Sequence, residues 1–309
     1  MRLKIILRSI PLFAAWTLAM GGTVTASAGN KLDGPTVQVW PARRAWNPAL
    51  ETQYGNFIAH IGHAVAAGRC RTLAACLRDS AINPLFEPGA ESLRFHADCA
   101  DVPYILRAYF AYHHDLPFSY AKSMRGHGRD ARYYCHAAPS GLSTWLDAPT
   151  PRRLFEGIGR IVHSGYFRTA PIVETSDFYQ AAVDRRAVRP GTMFYDPNGH
   201  VVVLYEILAD GAALFFDGHP DGSLTHGTLS EKNVRGGLSQ GGGLKNFRPV
   251  RLQDGGVVQQ RNVELSDYGG AAQFERSRYQ VNGRPVDYYA WLKAALAAPA
   301  PGATASAMR

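Results

Sequence analysis

The sequence is poor in charge, in cysteine and in long apolar runs, and each shortage narrows what the chain can be. Only 19% of its 309 residues are charged. The arginines are scattered, with no basic stripe interleaved with aromatics, so a nucleic-acid groove is not expected. There is no phosphate loop and no dinucleotide fingerprint, and the Gly-rich run at 236–244 reads as a loop. Beyond the first 28 residues no stretch approaches the ~20 apolar residues of a membrane helix. Metal ligands are sparse too. His60 and His63 share a helical face without an identifiable third ligand. Asp217-Gly218-His219-Pro220-Asp221-Gly222 is rich in oxygen but lacks the calcium-loop spacing. Neither a metal nor any other cofactor is expected, and no internal repeat is visible.

The first 28 residues read as a cleavable signal peptide. Arg2, Lys4 and Arg8 form a positive start, Ile10 to Met20 an apolar run, and Ala26-Ser27-Ala28 a small-x-small cleavage site. Three of the 33 basic residues and none of the 25 acidic ones lie in it, so the remainder carries a net charge of about +5 instead of +8. The expected location is periplasmic or secreted, with no stable membrane span after cleavage. A mildly positive surface suits an anionic envelope.

Four cysteines remain, Cys70, Cys76, Cys99 and Cys135. Outside the cytoplasm paired cysteines tend to be oxidised. Cys70 and Cys76 are close, with a turn-compatible segment between them, and make a candidate disulfide. Four cysteines allow three pairings, and spacing alone does not choose among them.

At 46% hydrophobic residues the chain is ordinarily globular. Tyr54, Ile58, Ile61 and Val65 recur at helical spacing between Pro48 and Ala67. Val102, Ile105, Leu106, Tyr109 and Phe110 mark a helix over 99–114. Pro103 is tolerated only in a first turn, so that helix starts near Cys99–Val102, capped by Asp98 or Asp101. Residues 115–150 read as turns, 151–163 as a helix, and 286–297 as a last helix before an Ala/Pro tail. Strands are expected at 192–195, 200–208, 212–217, 247–252 and 257–263. Helices followed by an antiparallel meander argue α+β. The expected parts are a signal peptide (1–28), an N-terminal helical subdomain (29–90), a catalytic domain (91–265) and a C-terminal helix with a flexible tail (266–309).

Three residues can do chemistry together. Cys99 opens a helix, where unsatisfied amides and the positive dipole end favour a thiolate. His200 begins a buried strand after the turn Asp196-Pro197-Asn198-Gly199 and can move a proton to and from the sulfur. Asp217 ends the next strand and can orient the imidazole; His219 is an alternative for that third role. The blocks Asp98-Cys99-Ala100, Leu116-Pro117, Arg189-Pro190-Gly191-Thr192 and Gly199-His200-Val201-Val202-Val203 resemble those of the papain-like cysteine peptidase superfamily, in its NlpC-type cell-wall branch. The resemblance spans about residues 96–220. It implies a papain-like fold, with the nucleophile helix packed on an antiparallel sheet, and it assigns nucleophile and base to Cys99 and His200. Ala100-Asp101 stands where that family usually has Ser-Gly, and Thr192 where it usually has Asp. The spacing to Asp217 is closer to the transglutaminase-like branch. The implied function is a secreted thiol hydrolase cutting amide bonds in peptidoglycan or another peptide. The alternatives are a transglutaminase-like acyl transferase and a non-catalytic papain-like protein that binds the cell envelope.

Overall fold

The structure, a computed structural model, describes Leu32 and residues 40–125, 138–254 and 256–299. The expected signal peptide and Cys135 lie outside the described residues.

Helix α1 (Pro48–Ala66) starts where Asn47 accepts from the Leu50 amide at 3.0 Å and Pro48 occupies the first turn. Its stripe of Tyr54, Ile58, Ile61 and Val65 is buried. A short helix α2 (Leu73–Arg78), capped by Thr72, occupies much of what reads in sequence as a turn. Cys76 lies within α2 and Cys70 precedes it; the two are disulfide-bonded, with Cα atoms 5.2 Å apart. Helix α3 (Asp101–His113) is buried from Asp101 through Tyr112, on every face. It packs against α1, against α4 (Pro151–Ile161) and against the sheet. The helix lying along the central strand is α1.

Residues 115–150 are not merely turns. They hold an antiparallel hairpin, β1 (Ser119–Arg125) with β2 (Ala138–Thr144). The main sheet has six antiparallel strands: β3 (Phe178–Gln180), β4 (Met193–Asp196), β5 (His200–Ile207), β6 (Ala213–Gly218), β7 (Leu224–Thr228) and β8 (Gly243–Phe247). Their spatial order is β3-β8-β4-β5-β6-β7. Part of the expected Gly-rich loop is therefore interior strand. The β8 sequence Gly-Leu-Lys-Asn-Phe conceals this because its polar residues are buried with partners. Asn246 accepts from Thr192 Oγ1 at 2.7 Å and donates to Ala187 O at 2.9 Å. The strands expected at 247–252 and 257–263 form instead a separate hairpin, β9 (Val250–Gln253) with β10 (Gly256–Gln259). A two-residue pair, β11 (Gln280–Val281) and β12 (Arg284–Pro285), precedes helix α5 (Tyr288–Leu296).

The sheet is covered on both faces, which explains the unbroken apolar run of β5. Val201, Val203 and Tyr205 join Met193, Tyr195 and Phe216 in a core shared with α1, α2 and α3. Val202 and Leu204 join Phe194, Leu244 and Ala213 under Leu292 and Leu296 of α5. The architecture is mixed α and β with antiparallel sheets and few helices. Among the described residues no helix is long and apolar enough to cross a membrane.

Candidate active site

The first turn before α3 is shaped by two aspartates. Asp98 Oδ1 accepts from the amides of Ala100 (2.8 Å) and Asp101 (3.2 Å), and Asp101 Oδ2 accepts from the Asp98 amide (3.1 Å). This reciprocal arrangement is a capping box, so the chain turns helical at Cys99. Val102 N donating to Asp98 O at 3.1 Å closes that turn. The Cys99 amide is the first-turn donor that Asp98 does not engage. Burial pushes the Asp101 carboxyl up to about 7, against the hydrogen bond from the Asp98 backbone.

Cys99 is part-buried and outside any disulfide. Its sulfur lies 3.9 Å from Gly199 O, the last carbonyl before His200. The Asp196–Gly199 turn thus brings the start of β5 to Cys99. Asn198 N and Gly199 N hydrogen-bond back to Asp196 and hold that turn.

His200 Nε2 is 2.6 Å from Asp217 Oδ2. Cys99 lies near enough to the same ring to favour its protonated form. With Nε2 committed to Asp217, Nδ1 is the nitrogen left for the sulfur. The bond to Asp217, then that to Cys99, outweighs partial burial and pushes His200 up to about 10. Asp217 is 4% exposed. Burial opposes its charge, yet the hydrogen bonds from His200 and Thr225 hold it below the ordinary carboxylate range. Gly218, next in the chain, makes this approach sterically possible. A Cβ there would stand 2.9 Å from the backbone of Asp98.

Two further side chains complete the cluster. Thr225 of β7 donates to Asp217 Oδ1 at 2.7 Å. Its oxygen is then free to accept from His219 Nε2 at 2.9 Å, which requires a proton on that nitrogen. His219 Nε2 is 3.6 Å from Asp217 Oδ2, and its ring stacks on His200 at 5.8 Å between centroids. Asp217 is therefore the residue in direct contact with His200, and His219 reaches the carboxylate mainly through Thr225. Thr225 carries no sequence signal. It sits on an edge strand, Leu-Thr-His-Gly-Thr, with mostly outward-facing polar residues.

The segment before Cys99 is tied to the same region. His96 Nε2 is 2.8 Å from Pro220 O, in the turn after Asp217. The other histidines single out nothing comparable. His60 bonds Asn56 O within α1, and His63 faces Glu206 at 3.6 Å. Among the described residues no three His, Cys, Asp or Glu side chains form a metal-ligand group.

The arrangement can hold a proton between sulfur and imidazole and keep the imidazole oriented by a buried carboxylate, the elements of thiol acyl-transfer chemistry. No family model matches the chain, and neither the curated proteins nor the solved structures contain a detectable match to it.

Proposed function

We propose that the chain is an exported thiol hydrolase of papain-like type that cleaves amide bonds in peptidoglycan peptides, with Cys99 as nucleophile, His200 as acid–base and Asp217 as the group that orients His200. The observation carrying this reading is the His200–Asp217 contact at 2.6 Å with the Cys99 sulfur 3.9 Å from the carbonyl of Gly199, the residue before His200.

The chemistry follows from that order. Cys99 attacks the scissile carbonyl carbon with its thiol proton resident on His200 Nδ1. The Cys99 amide, left over by the Asp98 cap, is a donor for the oxygen that becomes negative in the tetrahedral intermediate. His200 delivers its proton to the leaving nitrogen, the C–N bond breaks, and a thioester remains. Water, deprotonated by His200, then attacks the thioester and releases the acid and the thiol. Asp217 keeps the ring in the orientation both half-reactions need.

The test is covalent trapping. The chain is incubated with a peptidyl vinyl sulfone, and the adduct is located by mass spectrometry. A single adduct on Cys99 that disappears in His200→Ala supports the proposal. No adduct, or one on Cys99 that forms equally well in His200→Ala, rejects it.

A further inference from the structure

The loop that follows β7 ends in a cleft that the proposed chemistry does not use. The cleft has a volume of ≈ 550 Å³ and lies between the Gly-rich stretch Arg235–Gln240 and the segment Ala271–Arg276. Two cationic side chains, Arg235 and Arg276, line it. Among the described residues neither has a carboxylate within ion-pair distance. The one acidic side chain in the lining, Glu275, is engaged by Arg278 at 2.5 Å.

Arg235 is held in place. Its guanidinium carbon lies 5.0, 5.3 and 5.6 Å from the ring centres of Tyr288, Phe274 and Tyr279, and its Nη1 donates to Gln273 O at 3.1 Å. A guanidinium packed among aromatic rings is pre-organised for a planar acceptor, and less side-chain entropy is lost on binding one.

The cleft is also coupled to the catalytic turn by direct contact. Val234 N donates to Asp196 Oδ2 at 2.9 Å. Asp196 stands opposite His200 in the β4–β5 register. Gly236 packs so closely on Pro197 that a Cβ would lie 2.5 Å from its ring. The turn bounded by Asp196 and Gly199 thus touches the Arg235 loop at Pro197 and the Cys99 sulfur at Gly199. Both sites therefore border the same four-residue turn.

We propose that this cleft is a substrate subsite for a free carboxylate, with Arg235 as its principal ligand and Arg276 as a second positive charge at its rim. The preferred substrate is then a peptide that carries a carboxylate group close to the cleaved bond. This rests on the amide-cleaving reading for its purpose but not for its binding chemistry.

The experiment separates the two. N-acetylated tetrapeptides of one sequence, ending either in a free acid or in an amide, are titrated into the Cys99→Ala chain and followed by NMR. A charge-assisted pair to Arg235 predicts that the acid binds roughly 10-fold more tightly. Arg235→Gln brings the acid down to the affinity of the amide, and the exposed Arg276→Gln lowers the preference by a smaller factor. Equal binding of acid and amide overturns the subsite, as does an acid preference that survives both substitutions. Turnover is read separately in the unsubstituted chain. An acid preference without turnover defeats the hydrolase reading and leaves the subsite standing; turnover without an acid preference does the reverse.

Discussion

His200 and Asp217 meet at 2.6 Å across neighbouring antiparallel strands, one ring nitrogen against one carboxylate oxygen. The second carboxylate oxygen is occupied by Thr225 at 2.7 Å, so the carboxylate is gripped on both sides and the ring is aimed. With its protonated form favoured up to about pH 10, His200 is an imidazolium at neutral pH, beside the sulfur of Cys99.

The proposed role of this pair predicts selective reactivity at Cys99. Iodoacetamide at mildly acidic pH is expected to modify Cys99 where an ordinary thiol hardly reacts. His200→Ala should slow the reaction by roughly 100-fold or more, the scale on which a positioned acid–base group acts. Asp217→Asn and Thr225→Val should slow it less, by about 3- to 10-fold, since one lost hydrogen bond is worth about 1 kcal/mol. Peptide mapping after timed alkylation measures all four rates.

The same contact predicts how stability depends on pH. His200 is raised from 6.5 to about 10. Its contribution is complete below pH 6.5 and is lost as pH rises through about 10. Asp217 is lowered from 3.8, so its contribution is present above that pH and is lost as pH falls through its depressed value. The melting-temperature gap between the unsubstituted chain and Asp217→Asn should therefore be widest between about pH 4 and 6.5 and should narrow toward pH 10. A gap that widens above pH 8 contradicts the assignment.

Asp101 works in the opposite sense. Burial raises its carboxyl from 3.8 to about 7, and its Oδ1 has no hydrogen-bond partner among the described residues. A raised carboxyl binds its proton more tightly when folded, so it lowers stability as pH climbs from about 4 through 7. Asp101→Asn keeps an oxygen for the Asp98 amide and cannot ionise. Thermal melts from pH 4 to 8 should show this variant gaining on the unsubstituted chain with rising pH.

The Cys70–Cys76 bridge closes a short loop by tying the segment before α2 to the middle of that helix, six residues apart in sequence. Arg71, inside that loop, accepts from Leu224 N at the start of β7 at 2.8 Å, so the loop also abuts the strand that carries Thr225. Loop-closure entropy for so short a ring amounts to roughly 2 kcal/mol. Cys70→Ser with Cys76→Ser should lower the melting temperature by about 3–4 °C for a chain of this size. Calorimetry with and without reductant tests this.

Much of the framework was legible because it rests on local physics. The stripe Tyr54, Ile58, Ile61 and Val65 after Pro48 specifies α1 through its period. The Asp196–Gly199 turn separates β4 from β5 because its backbone geometry is local. The same reasoning singled out Cys99 at a helix start and His200 and Asp217 on successive strands, and these are the residues the fold assembles. What stayed hidden depends on partners far along the chain. The strand β8 reads as polar and Gly-rich, yet Lys245 and Asn246 are buried because Thr169, Ala187 and Thr192 accept or supply their hydrogen bonds. The strand β7 has no apolar alternation, so Thr225 gains its place only once β6 lies beside it. The sequence by itself determined helices α1, α3, α4 and α5, the central strand and the three chemically competent side chains, since periodicity, caps and turns act within a few residues. Only the tertiary structure decided that Asp217 rather than His219 takes the imidazole, that Thr225 holds the far carboxylate oxygen, and that Arg235 stands in a cleft joined to the Asp196–Gly199 turn. Each of those outcomes depends on distances between segments that no local pattern encodes.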